Sequence, residues 1–328
     1  MASTDTRLPG KQGKWYLADA DKLSEQLDEF LANVPDQIDG KGLPVPGARV
    51  VIAPHAGYTF SGATAAWAYK ALDLSRAKRV FILGPSHTYP LRGCAVTTYK
   101  KYGTPWGELR VDEEVTEAIR GRDAVDDMPV FNDDNEHSLE MHLPYLYKRL
   151  QQTFGSPDDF PPVVPILVGN NNKAEEKEVG KWLAEYLRDP ENAFIVSSDF
   201  CHWGQHFEYT VYCPDGDVTR MQKLRPYGPP PDGPPIHESI KLVDDLAIEA
   251  IKTGEHSAFY DNLRQTKNTV CGRHPIGVTM AALEELGGDG DGGDEQQRRF
   301  QFIQYQRSNE VTRPNDFSVS YVSAYAVV

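Results

Sequence analysis

The sequence predicts an α/β fold: a single domain over residues 1–328, built on a mostly parallel or mixed central sheet with helices on both faces. Three observations carry that reading. Short β-branched runs such as Val50-Val-Ile-Ala53 and Val80-Phe-Ile-Leu83 are continuously apolar, the pattern of strands buried on both faces. Segments with one apolar helical face fall between these runs, as crossover connections require. Hydrophobic residues make up 40% of the 328-residue chain, enough to fill one large core.

The elements follow in order. Residues 1–18 read as an irregular arm. Asp19 or Asp21 caps a helix through about residue 33, with Leu23, Leu27, Phe30 and Leu31 on one face. A strand at 49–54 runs into His55-Ala-Gly-Tyr58 and a small-residue helix at 61–72. A second unit begins with a strand at 79–84 and breaks at Pro85-Ser-His87. Further strands are expected at 93–98, 163–168, 193–198, 300–305 and 317–327. Further helices are expected at about 112–120, 136–150, 175–188, 238–252 and 276–286. The last two strands have no long helix between them and should pair as a hairpin or add mixed strands at an edge. Two segments read as loop insertions: the proline-rich 213–236, where prolines exclude a helix or central strand, and the glycine-rich 287–298. The proline run reads first as a surface loop and second as a ligand for a proline-reading module. Apolar elements resume on both sides of each, so neither marks a domain boundary.

A formal net charge of −14 opposes broad contact with nucleic acid or an anionic membrane surface. A small anion remains compatible, through a local cationic pocket. No run of about 18 apolar residues is present, so no membrane insertion is expected. The first residues lack the apolar core of a secretory signal, and the expected location is cytoplasmic, with the nucleus also open. Four cysteines in that setting are free thiols or ligands.

Polar residues fall at telling places. His55, His87 and Asp199 each follow a predicted strand, and the carboxyl ends of parallel strands are where ligands collect. Two imidazoles and one anionic group suit a divalent transition metal with open positions. Asp199 or a cysteine thiolate could be the anion. Cys271 directly precedes a helix expected to begin near Pro275, whose N-terminus, with Arg273, should lower its pKa; Cys94 lies inside an apolar strand. The plain alternative for each histidine is a hydrogen-bonded turn residue. His137 and His142 are spaced i, i+5, which excludes the zinc-protease helix with its i, i+4 pair. His142 is kept as a pocket-lining residue and Glu140 as an acceptor behind a ligand. His237 and His256 read as surface residues and Cys213 as without a role. No nucleophile elbow, P-loop or dinucleotide fingerprint is present.

Five ordered blocks carry a resemblance: Ala53-Pro-His-Ala-Gly-Tyr58, Leu83-Gly-Pro-Ser-His87, Glu136-His-Ser-Leu-Glu-Met-His-Leu-Pro144, Ser197-Ser-Asp-Phe-Cys-His-Trp-Gly204 and Cys271-Gly-Arg-His-Pro-Ile-Gly277. From about residue 14 to the last strand the chain resembles the Memo family. The resemblance implies a fold similar to class III non-haem iron extradiol dioxygenases. It implies metal ligands His55, His87 and Cys271 for one iron (Fe2+) or copper ion, with Asp199 and His202 in the same pocket as an acid/base pair, orienting groups or further ligands. It implies either redox chemistry on a small molecule or dioxygen, linked to metal homeostasis and cell-motility signalling, or a non-catalytic adaptor that reads a phosphotyrosine peptide of a signalling protein at the same cleft. Arg273, His142 and Glu140 are the residues expected to meet such a substrate or peptide. The thiolate in place of the dioxygenase glutamate speaks against ring cleavage.

Overall fold

The computed structural model describes residues 5–288 and 298–328. Its central sheet is built, among the described residues, from nine strands: β1 (Val50–Ala53), β2 (Arg79–Pro85), β3 (Cys94–Val96), β4 (Val125–Asp127), β5 (Val163–Val168), β6 (Asn192–Ser197), β7 (His202–Trp203), β8 (Gln301–Arg307) and β9 (Ser318–Ala326). They lie in the order β7-β9-β1-β6-β2-β5-β3-β4, and β8 also pairs with β9. The strands β1, β6, β2 and β5 are mutually parallel; β9 runs antiparallel to β1, and β3 antiparallel to β5. The sheet is therefore mixed, with a parallel centre. Its register sets Ser197 opposite Ala53 and Val196 opposite Leu83, so three adjacent strands end almost level.

Side chains alternate across a strand, and here both faces are covered. Val51, Ile82 and Ile195 face a core formed with α1 (Ala20–Ala32), α2 (Tyr58–Ala71) and α5 (Leu143–Phe154). Val50, Ile52, Phe81, Phe194 and Val196 face a second core. That core includes α3 (Glu113–Arg120), α6 (Lys173–Leu187), α7 (Ile236–Lys252), α8 (His256–Thr266) and α9 (Arg273–Gly288). A short α4 (Val130–Asn135) precedes α5. The chain is a mixed α/β single domain, as the continuous apolar runs predict.

Local chemistry explains the element ends. The Asp19 carboxylate accepts from the Lys22 N–H and starts α1; Asp112 does the same for α3 through Val115. Asn172 and Glu175 form a reciprocal capping box at α6. The close approach of α6 and α9 requires glycine, because a Cβ at Gly180 would stand 2.6 Å from the Ala281 Cβ.

Several expectations need correction. The arm is not irregular throughout: Thr6–Arg7 pairs with Lys101–Thr104, and the buried Arg7 guanidinium binds Asp133 and Glu140 at 3.0 and 2.8 Å. The helix expected over 136–150 starts only at Leu143, after a single 3₁₀ turn at Glu140–His142, because Pro144 suits a first turn and not an interior. The small-residue helix begins earlier, at Tyr58. Helices α4 and α8 and the hairpin Lys101–Thr104 with Gly107–Arg110 are short or polar and gave no sequence signal. Strands β8 and β9 pair antiparallel, and β9 joins the sheet through β1. Within 213–236, Val211–Tyr212 reaches in to pair with Gln222–Lys223, and Cys213 is buried. Of the glycine-rich 287–298, residues 289–297 lie outside the described residues.

Candidate metal centre

The level strand ends deliver three side chains to one place. His55 lies two residues past β1, Asp199 two past β6 and His87 two past β2, and these strands are neighbours in the sheet. The backbone N–H of His55 donates to the Asp199 carboxylate at 2.9 Å, and the His55 and His87 rings are 5.2 Å apart.

Each imidazole is held by its rear nitrogen. The Ser197 hydroxyl donates to the Ser138 carbonyl at 2.7 Å, so its oxygen accepts from His55 Nδ1 at 2.6 Å. That leaves the Nε2 lone pair of His55 facing the Cys271 Sγ at 3.1 Å. His87 Nδ1 lies 2.9 Å from the buried Glu136 carboxylate, which also accepts the His87 backbone N–H at 2.7 Å. Burial opposes the charge on Glu136, yet the hydrogen bond and charge of His87 outweigh it and hold the acid at about 2. A carboxylate behind an imidazole is the usual support of a metal-ligating histidine.

A third imidazole joins them. His137 stacks on His87 at 4.2 Å and lies 5.3 Å from His55. Burial first, then the neighbouring His87, lowers its pKa to about 3; burial and the same neighbours hold His55 well below 6.5. Both rings are therefore neutral at physiological pH, the state in which imidazole binds metal.

Cys271 corrects a sequence expectation. Its thiol is pushed well above the ordinary value by burial and by Asp199, while the N–H groups of Asp199 and Gly272 pull only partly the other way. Asp199 N–H meets the sulfur at 3.2 Å. Burial raises the Asp199 carboxyl too, against its contacts with His202 and the amides of His55 and Ala56. Gly272 must be glycine, since a Cβ there would lie 2.3 Å from the Ser197 carbonyl oxygen.

Among the described residues two donor groups have all their ligand atoms within 4.8 Å of one another: His55, His87 and His137, and His55, Asp199 and Cys271. His55 belongs to both, whereas His87 and Cys271 share no group. His55, neutral and fixed in its tautomer, sits at the junction of these two groups, and imidazoles with an adjoining thiol and carboxylate fit a transition-metal ion in donor type.

His55, His87, His137 and Asp199 floor a cleft of about 740 Å³, walled by Trp15, Phe60, Phe207, Phe317, Val319 and Tyr321, with Lys14 at its side; Cys271 is not among its lining residues. His202 also lines it; its Nδ1 lies 2.8 and 3.1 Å from the carbonyls of Phe200 and Thr269 and donates there, leaving Nε2 as an acceptor. Three expected residues are elsewhere. Glu140 is buried, holding Arg7, the Tyr16 hydroxyl and the Gly10 and Lys11 amides. His142 is buried against the Tyr69 hydroxyl at 2.7 Å. Arg273 is half-buried at the start of α9 and does not line the cleft. His256, expected at the surface, is buried and bonded to Glu176 at 2.6 Å, across from His274. Sequence reasoning missed His137, Glu136 and Ser197. The Glu136-His137 pair was weighed only as part of a helix, and residues 136–139 are not helical.

A family model described as Memo-like protein matches residues 7–325. Protein MEMO1 of Danio rerio is 39% identical over 316 residues, spanning 96% of this chain and 95% of the relative. Protein MEMO1 of Homo sapiens is 38% identical over the same spans, and the protein memo-1 homolog of Caenorhabditis elegans 38% identical over 98% of this chain and 83% of its own. The crystal structure of an uncharacterized Escherichia coli K12 protein superposes with a TM-score of 0.47 at 15% identity, covering 84% of this chain and 98% of that one. A match across nearly all of the chain, together with these identities, makes this protein a member of the Memo-like family.

Proposed function

We propose that the cleft holds one iron (Fe2+) or copper ion on His55 and His87, with Cys271 as the anionic ligand. The bound ion would act on a small molecule or dioxygen, in a redox role tied to metal homeostasis and cell-motility signalling. The observation that supports this reading is the fixed tautomer of His55. Ser197 commits Nδ1, so Nε2 presents a lone pair 3.1 Å from the Cys271 sulfur. Imidazole with thiolate prefers Cu(I) and Fe(II) over Mg or Ca. When bound, the ion supplies electron transfer and charge stabilisation at the floor of the cleft.

The chain supplies the rest. Glu136 and Ser197 aim the two imidazoles, and the aromatic walls keep water from the floor. His202 presents Nε2 toward the cleft as a base. Asp199 holds the His55 backbone in register. Cys271 must surrender its proton to bind, so affinity should rise with pH. Elemental analysis of protein purified anaerobically without added metal, followed by titration, tests the reading. One ion per chain is the expected result, and no uptake overturns it.

A second reading is a phosphotyrosine-peptide adaptor at the same cleft. It draws support from Phe60 and Phe317, 57% and 54% exposed at the cleft, and from Lys14 beside them. Lys14→Ala should then weaken phosphopeptide binding to the metal-free chain, and Arg273→Ala should not.

A further inference from the structure

A file of aromatic side chains leaves the floor of the cleft and runs into the first core. Trp15 lies 4.5 Å from His137, ring to ring; Tyr16 is the next residue along the backbone, so the step between those two runs through the chain and not through a ring contact. Tyr16 is 5.7 Å from Tyr58, Tyr58 is 5.4 Å from Tyr145, and Tyr145 stacks on Tyr69 at 4.8 Å with the planes 6° apart. Tyr58 and Tyr69 stand at the two ends of α2, eleven residues or about 16 Å apart along its axis. All four tyrosines are buried. Packing alone asks for the rings, which phenylalanine would supply, and each buried hydroxyl has to be satisfied separately.

The hydroxyls are satisfied in unequal ways. Tyr58 donates to the Met141 carbonyl and Tyr145 to the Gly62 carbonyl, each at 2.7 Å, and a carbonyl cannot keep a proton. Tyr16 faces Glu140, whose charge is already committed to Arg7 and to two backbone amides. Tyr69 alone of the four faces a ring nitrogen, His142 Nδ1 at 2.7 Å, with the His142 carbonyl farther off at 3.3 Å. The other nitrogen of that ring is buried without a partner; in the tautomer that protonates it, Nδ1 accepts from Tyr69, and a deprotonated Tyr69 oxygen would sit beside imidazolium.

We propose that this file carries oxidising equivalents away from the cleft and stores them at Tyr69. The oxidant is a one-electron oxidant of the iron- or copper-plus-peroxide class, formed at the His-lined floor. It gains one electron. Tyr69 loses that electron, its O–H bond breaks, and the proton passes to His142 Nδ1, so charge and atoms balance within the pair. Trp15, Tyr16, Tyr58 and Tyr145 are the intermediate steps. Oxidation makes a phenol a strong acid, so even a weakly basic imidazole takes its proton, and without such a base the hole does not settle. The source of the oxidant rests on the metal-site reading; the relay itself is a property of the chain.

The test uses the full chain, metal-free, with photogenerated ruthenium(III) tris-bipyridine as oxidant and freeze-quenched EPR as readout. The chain has sixteen tyrosines, and radicals at the surface couple and decay. The expected result is a persistent tyrosyl signal in the wild type. Tyr69→Phe, which keeps the stacked ring, should lose it. His142→Asn, which keeps an acceptor near the Nδ1 position but takes no proton, should lose it too. Tyr227→Phe, at a residue 86% exposed, should not. A wild type without the persistent signal, or a Tyr69→Phe or His142→Asn chain that retains it, overturns the relay. A second arm gives peroxide to the iron- or copper-loaded chain in the dark. A Tyr69-dependent signal that falls in Tyr145→Phe ties the relay to the cleft, and its absence from a loaded chain breaks that tie. Failure to take up metal overturns the metal-site reading and leaves the photochemical arm to judge the relay.

Discussion

Ser197 gives its hydroxyl hydrogen to the Ser138 carbonyl, and that commitment decides which nitrogen of His55 is free. Replacing Ser197 by alanine removes the rear acceptor and lets the ring turn or change tautomer. Metal affinity should fall about 10- to 100-fold, the usual effect of losing such a support. Glu136→Gln should act similarly through His87. Cys271→Ser should weaken iron or copper binding by at least about tenfold, because a serine hydroxyl does not ionise near neutral pH and is a harder donor. Cys94→Ser should leave binding unchanged, since that thiol is buried in β3 and pushed up to about 12. Anaerobic titration of the four variants measures all of this. Equal affinities for the two cysteine variants would remove Cys271 from the site.

The contact of α6 with α9 gives a test on the scale of elements. Glu176 of α6 is clamped between His256 and His274 at 2.6 Å each, and a Cβ at Gly277 would lie 2.7 Å from its carboxylate. Helix propensity favours Gly277→Ala by about 1 kcal/mol. The clash with a fixed, buried carboxylate costs about 1–3 kcal/mol. The expected outcome is a lower urea midpoint, and a raised midpoint would mean that Glu176 moves aside. The elements themselves were unevenly legible. Strands β1, β2, β5 and β6 announce themselves because both faces are buried and their central residues form unbroken apolar runs. His55, His87 and Asp199 were legible for the same reason, as ionisable or metal-binding residues two positions beyond those strands. Arg7 was not, since its partner Glu140 is 133 residues away and no local period encodes the pairing. His137 was hidden by a helix that does not form there, and the acidity expected of a thiol at the helix start, Cys271, was overridden by burial.

The whole molecule should lose stability in acid, and the sign follows from its buried imidazoles. His142 is held at about 3 by burial, below its ordinary 6.5, so between those values the unfolded chain binds the proton and the folded chain does not. Stability therefore rises with pH through that window and is lost as pH falls from about 6.5. His142 alone should account for about 2 kcal/mol between about pH 7 and about pH 5, with His55 and His137 adding in the same direction. Urea unfolding across that range should show a shallower decline in His142→Asn, and parallel declines would show that His142 is not the group responsible. The cleft also has a consequence in time. Its wall joins Lys14 and Trp15 to Val319 and Tyr321, and His55, His87, His137 and Asp199 lie between them in the sequence. A growing chain reaches those residues in order, so a polypeptide still on the ribosome and stopping short of residue 321 has its imidazoles but no closed chamber around them. On the metal reading proposed above, loading of an ion would follow translation, and cells making a chain cut before β9 should hold a protein that binds the ion loosely and exposes it to solvent.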